Sequence, residues 1–171
     1  MIEKIVSGGQ TGVDQAVLFT ASEFGIPIGG WCPKGGLDEN DVCILDQHPS
    51  LMEATTTNPD ERTKLNIRDS DGTLIIVPSW PLPEKIKDGT KLTIEEAQHR
   101  GKPHLIVSLA EKQFAVENIL QWVDQNNIHT LNVGGPRESN CPGVYQETCE
   151  LFHELFIALD HQQAYTMGQR K

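Results

Sequence analysis

Residues Ser7–Leu18, SGGQTGVDQAVL, follow directly on the apolar pair Ile5-Val6. Three glycines, Gly8, Gly9 and Gly12, fall within five positions between a stretch that reads as a strand, Ile2–Val6, and one that reads as a helix, Val13–Phe24. In the second stretch Val13, Ala16, Val17, Thr20, Ala21 and Phe24 recur three and four residues apart, the period of one helix face. A strand turning through glycines into a helix is the start of a βαβ unit. The loop matches neither the dinucleotide fingerprint G-x-G-x-x-G nor the P-loop G-x-x-x-x-G-K-[ST]. Its glycines still allow backbone N–H groups close to a ligand, and the amino end of the helix adds a partial positive charge. Thr11 followed three residues later by Asp14 fits a variant of the capping box. A tight βα turn with a cap and no ligand is the competing reading.

The same alternation continues down the chain. Strands are expected at Ile26–Trp31 (IPIGGW), Thr73–Val77, His104–Leu109 and Thr130–Val133, and helices at Thr93–Arg100, Phe114–Asn126 and Gly143–Asp160. Thr73–Val77, TLIIV, is apolar without interruption beyond its first residue, as in a parallel strand covered on both faces. The spacing predicts an α/β fold: a Rossmann-like, open, mostly parallel sheet of five or more strands with helices on both faces, joined by right-handed crossovers. Between residues 32 and 72 the pattern is weaker. Pro59–Asp69 reads as a helix, and Cys43–Leu51 as a strand or a loop. One domain over residues 1–161 accounts for the chain, with a polar tail from 162 to 171 expected to fray.

The 171 residues carry a formal net charge of −10, and 37% are hydrophobic. That balance fits a globular protein, and it argues against a nucleic-acid surface, which needs a basic stripe. No apolar run approaches the ~20 residues of a membrane span, and the start MIEKIVSGG lacks an export pattern, so a cytoplasmic location is expected. Cys32, Cys43, Cys141 and Cys149 show no C-x-x-C pairing and are expected as reduced thiols sharing no metal. Neither an H-E-x-x-H helix nor a G-x-S-x-G elbow is present, which disfavours metalloprotease and serine hydrolase chemistry.

In such a sheet, ligands collect beyond the carboxyl ends of the strands. Most of the chain's glycines lie in the loops that fall there: Gly8–Gly12, Gly29–Gly36, Pro78–Thr90 and Gly134–Gly143. Arg137, after Gly134, Gly135 and Pro136, is placed to grip a phosphate or another oxyanion bidentately, or else to pair with Glu138 on the surface. Lys34, beside Gly35, has the same two readings. Gly89 and Thr90 form either a simple turn or part of the site, the following helix being marked by Thr93 with Glu96 as a second capping box. Trp31 and Trp80 lie where an aromatic face stacks on a heterocycle or merely packs a loop.

Five blocks, SGGQTGVDQAVL, PIGGWCPKGGLDEN, ERTKLNIRDSDGTLII, GTKLTIEEAQHRGKPHLIV and LNVGGPRESNCPGVYQ, resemble in order the family called "putative molybdenum carrier". That family belongs to a wider group of Rossmann-like proteins related to the lysine-decarboxylase-like nucleoside-phosphate hydrolases. The blocks run from Ser7 to about Gln146. The resemblance implies a homo-oligomer with a pocket for molybdenum cofactor or a related pterin or nucleotide phosphate. It places the family's loops on Gly8, Gly9, Gln10, Thr11, Gly12 and Asp14, on Trp31, Pro33, Lys34 and Gly35, and on Gly135, Pro136, Arg137, Glu138 and Ser139. The hydrolase relatives carry P-G-G-x-G-T-x-x-E, of which this chain keeps Gly89-Thr90, with Thr93 at the acidic position and Glu95 and Glu96 nearest to it.

The leading expectation is therefore a non-catalytic carrier of a small phosphorylated heterocycle, molybdenum cofactor foremost. Peptide amides of the first loop and helix start, together with Arg137 and Lys34, would hold the anion. The alternative is a nucleoside 5′-monophosphate phosphoribohydrolase-like enzyme. In it Glu138, Glu96 or Asp14 would stabilise an oxocarbenium-like centre or activate water. A purely structural partner protein would leave these loops empty.

Overall fold

A computed structural model describes residues 1–168. Strands β1 (Lys4–Val6), β2 (Ile28–Gly29), β5 (Gly72–Val77), β6 (His104–Ser108) and β7 (Thr130–Gly134) form a five-stranded sheet in the order β2-β1-β7-β5-β6. All four pairings are parallel. This is the expected α/β Rossmann-like architecture. Every residue of β5 is buried, as its apolar run implies for a strand flanked by β7 and β6 and covered on both faces.

Helices α1 (Val13–Glu23), α5 (Ala115–Gln125) and α6 (Val144–Gly168) pack together, and α3 (Pro59–Arg68) packs on α4 (Thr90–His99). Right-handed crossovers put α1 and α5, which lead to strands on one side, opposite α4, which leads to the other. Phe152, Phe156, Ile5, Leu131 and Ile119 are fully buried in the core beneath α1, α5 and α6. Burying a large apolar side chain of this kind stabilises by about 1.5–3 kcal/mol, so this layer contributes strongly to the fold's stability.

Ile26–Trp31 is not one strand. The chain pairs with β1 through Ile28 and Gly29, then turns at Gly30, whose φ is 121°, and enters β3 (Trp31–Cys32). A Cβ on Gly30 would collide with the Ser7 carbonyl oxygen and stand 2.9 Å from Asn66 Oδ1. Only glycine permits this turn against the end of β1. Strand β3 pairs in parallel with β4 (Met52–Glu53) in a separate two-stranded sheet. Between them Ile44–Gln47 forms a single-turn helix, α2, where a strand or loop was expected.

Helix α3 matches the expected Pro59–Asp69 helix to within a residue: Asn58 Oδ1 accepts from Asp60 N at 3.0 Å, and Pro59 occupies the first turn. Helix α4 begins three residues before the expected start. Thr93 is not its cap, because its hydroxyl donates to Gly89 O at 2.9 Å inside the helix. A 3₁₀ turn, Leu109–Phe114, precedes α5. Helix α6 continues to Gly168, past both Asp160 and the start of the expected frayed tail; residues 169–171 lie outside the described residues. No helix among the described residues is long and apolar enough to cross a membrane.

Candidate functional site

The loops after β1, β3, β5 and β7 meet at the carboxyl edge of the sheet, where the connection from β5 leads to α4 and that from β7 leads to α6 on the opposite face. Between them lies a cleft of about 420 Å³, whose walls include Gly8, Gln10, Lys34, Gly35, Arg62 and Arg137. Gln10, Arg62 and Arg137 also line a compartment of about 20 Å³ behind it, together with Asp14, Asp88, Gly89 and Gly135.

Close backbone packing creates this arrangement. Gly12 has φ 78°, and a Cβ there would collide with the Pro136 carbonyl oxygen and lie 2.8 Å from Glu138 N. The first and last loops therefore touch through their main chains. Gly135 presses in the same way on the end of β5 and on Val13, with a Cβ position 2.7 Å from Val13 Cγ2.

That contact corrects one expectation about the site. Val13 N–H, at the start of α1, donates to Pro136 O at 3.2 Å. Gln10 N donates to Asp14 Oδ2 at 3.2 Å and Thr11 N to Gln10 Oε1 at 3.0 Å. Glu138 N donates to Thr11 Oγ1 at 3.2 Å, and Ser139 N to Glu39 Oε1 at 3.2 Å. The Gln10 and Thr11 amides are engaged within the first loop and those of Val13, Glu138 and Ser139 between loops, rather than aimed at a ligand. Thr11 is not the cap of α1 either; the capping residue is Gly12, and the Thr11 hydroxyl donates instead to Glu39.

Acidic side chains are the stitches. Glu39 accepts from the hydroxyls of Thr11 and Ser139 and stands 3.9 Å from Arg137 Nη1, joining three loops. Burial pushes its carboxyl up, but the hydrogen bonds from Ser139 and Thr11 outweigh that and hold it below the usual glutamate value. Asp88 accepts from Thr90 N at 3.0 Å, Arg137 N at 3.0 Å and Asn140 Nδ2 at 3.1 Å, tying the loop after β5 to the loop after β7. Asp38 accepts from Asn40 N, Val42 N and Gln15 Nε2. Nothing in the sequence pattern singles out Glu39, whose partners are distant in the chain, or Asp38, which ties its own turn to Gln15.

The cations are differently placed. Arg137 is 30% exposed, and its Nε is buried without a hydrogen-bond partner. Arg62, from α3, is 14% exposed; its Nη1 meets Asp14 Oδ2 at 2.9 Å, and its Nε is likewise buried without a partner. Sequence reading passed over Arg62, although it lies within one of the family-like blocks, because helix spacing alone does not show which arginine of ERTKLNIR points inward. Burial pushes the Asp14 carboxyl above its ordinary value, and the adjacent Arg62 guanidinium and the Gln10 N–H draw it back.

The remaining candidates lie elsewhere. Trp31 is held against α3, its Nε1 donating to Asp69 Oδ2 at 2.8 Å. Trp80 lines a separate groove of about 670 Å³ with Leu82, Ile86 and Ile94. Neither tryptophan lines the cleft, which corrects the expected stacking face. Glu138 accepts from Gly143 N at 2.6 Å and Tyr145 N at 3.0 Å, so both carboxylate oxygens serve the start of α6. Glu96 pairs with Arg100 at 2.5 Å along α4. Thr90 is buried at the start of α4, with Gly89 on the wall of the small compartment. Cys32 is buried in the core and Cys141 packs against it. Among the described residues no three His, Cys, Asp or Glu side chains converge as metal ligands do.

Comparison with known proteins agrees with this architecture. A crystal structure of a "putative molybdenum carrier protein" from Syntrophus aciditrophicus SB is 39% identical to the chain, with a TM-score of 0.82 over 91% of this chain and 94% of that one. No curated protein matches. The model of the circularly permutated YpsA SLOG family (cpYpsA) matches residues 5–156, nearly the whole sheet and its loops. The chain belongs to the circularly permutated YpsA SLOG family.

Proposed function

We propose that this protein is a non-catalytic carrier that holds a small phosphorylated heterocycle in the cleft between the loops after β1, β3 and β7. Molybdenum cofactor is the named candidate, in keeping with the description of the similar Syntrophus protein. The observation that carries the reading is Arg137: a guanidinium at the cleft wall whose buried Nε has no partner within the chain. Unsatisfied buried donors in native proteins call for a specific partner, and a phosphate oxygen is a suitable one.

The residues of the cleft suit the cofactor. Its phosphate fits Arg137 and Lys34, and the space beside them, walled partly by Pro33, Leu37 and Ile44, suits a ring system of modest size. A cleft of about 420 Å³ lies within the usual range of small-molecule sites. When bound, the cofactor supplies the molybdenum centre, and this chain's own residues hold the phosphate and screen the ring from water. Asp14, Glu96 and Glu138, the acids of the hydrolase alternative, are each engaged by the protein itself, which favours carrying over cleavage. We further propose that the protein is cytoplasmic and works as a homo-oligomer.

Isothermal titration with a pterin phosphate, GMP and AMP tests the proposal. A dissociation constant below millimolar for a phosphorylated ligand, weakened about tenfold or more by Arg137→Ala, is expected. Binding by none of them rejects the reading, and release of free adenine from AMP would restore the hydrolase.

A further inference from the structure

We propose that Arg62 is a second anion-gripping cation, closing with Arg137 on one phosphomonoester, and that Gly8 is glycine in order to seat the Arg62 guanidinium. The inference rests on the binding reading above and narrows its ligand to compounds ending in a dianionic phosphate.

Both arginines line the cleft and also the 20 Å³ compartment behind it. A space of that size accommodates about one water-sized oxygen atom. The Nε atoms of both arginines are buried without partners in the protein. Because both residues line the same small polar compartment, one acceptor group placed there meets both guanidinium forks. A guanidinium carries five donors in a planar fork. The bond from Nη1 to Asp14 uses one edge of Arg62 and fixes the direction of the side chain.

Gly8 supplies the independent observation. Its φ lies outside the left-handed region, so its backbone does not demand glycine. Space does. A Cβ on Gly8 would overlap Arg62 Nη1, standing 2.5 Å from Cζ and 2.9 Å from Cδ. The first loop therefore leaves open the volume in which α3 lays its arginine, and the two elements are joined by a side chain at the cleft wall.

Charge explains why two forks are needed. Arg137 is partly neutralised by Glu39 at 3.9 Å and Arg62 by Asp14 at 2.9 Å. Asp38 and Asp88 stand nearby on the walls. Carboxylates so close oppose an anion, so one partly neutralised cation does not hold a dianion by itself. A dianion that engages both forks gains charge-assisted hydrogen bonds from each.

The test compares GMP, guanosine and inorganic phosphate by isothermal titration against the full-length protein and its Gly8→Ala, Arg62→Gln, Arg62→Lys and Arg137→Gln variants. The wild type is expected to prefer GMP over guanosine. Gly8→Ala and Arg62→Gln should each weaken GMP about tenfold to a hundredfold while leaving guanosine unchanged, and Arg62→Lys should recover part of the loss. Arg62→Gln leaves Asp14 buried without its cation, so Gly8→Ala, which displaces only a flexible side chain, carries the test if Arg62→Gln unfolds. Unchanged GMP affinity in Gly8→Ala and Arg62→Lys, with loss in Arg137→Gln, overturns the role of Arg62 and leaves the carrier reading standing. Inorganic phosphate binding as tightly as GMP overturns the ester assignment. A wild type that binds none of the three overturns the clamp, and the carrier reading then stands or falls with the pterin phosphate titration above.

Discussion

Arg62 Nη1 and Asp14 Oδ2 stand 2.9 Å apart although 48 positions separate the residues, and their side chains are 14% and 4% exposed. This ion pair joins the first turn of α1 to α3 at the sheet's carboxyl edge. A carboxylate there complements the helix dipole, but without its cation it would be a buried charge. The converse variant tests the coupling. Asp14→Ala should destabilise the fold by about 3 kcal/mol, read as a lower urea midpoint, and Asp14→Asn, which keeps an acceptor for Arg62, should lose less.

Glu138 is a helix-start residue rather than a free acid. Its two oxygens take Gly143 N and Tyr145 N, at the beginning of the longest helix. Glu138→Ala should cost about 1–2 kcal/mol in chemical denaturation. Hydrogen exchange should quicken at Gly143 and Tyr145 while the amides of β5 stay protected.

Gly12 tests the contact between the first and last loops. With φ 78° and the Pro136 carbonyl in the place of its side chain, Gly12→Ala meets both backbone strain and a main-chain collision. A loss of at least about 2 kcal/mol is expected, seen as a drop in thermal midpoint. Gly25→Ala, at φ 68° but with nothing within 4 Å, incurs the strain alone and should lose less.

Glu61 sets an acid limit on the segment before α3. Hydrogen bonds from the Thr55 and Thr56 hydroxyls, stronger than the opposing desolvation, lower its carboxyl from 4.5 to about 2. A folded value below the unfolded one means that the stabilisation is complete above pH 4.5 and is lost as pH falls toward about 2. Wild type should therefore melt above Glu61→Gln near neutrality, and the gap should close between those two values. A gap that stays constant from pH 7 to pH 2 contradicts this.

The alternation of β-branched apolar runs with helical periods was legible because each signal is local: Thr73–Val77 and the α1 face are set by residues within a few positions of one another. The glycine-rich loops were legible for the same reason, and the carboxyl-edge rule then placed Gly8, Gln10, Lys34 and Arg137 around one cleft. The break at Gly30 was not, since what forbids a side chain there is the Ser7 carbonyl on another strand. Nor was the choice of Arg62 over Arg68, which faces solvent and pairs with Asp69 at 53% exposure. Trp31 illustrates the same limit from the other side, drawn to Asp69 across 38 residues instead of to a ligand. Sequence by itself determined the parallel sheet and where its loops emerge, through short-range hydrophobic pattern. Which side chains those loops commit to one another, and which guanidinium nitrogens remain unsatisfied at the cleft, was decided only by tertiary packing, because burial and partner choice depend on atoms far away in the chain.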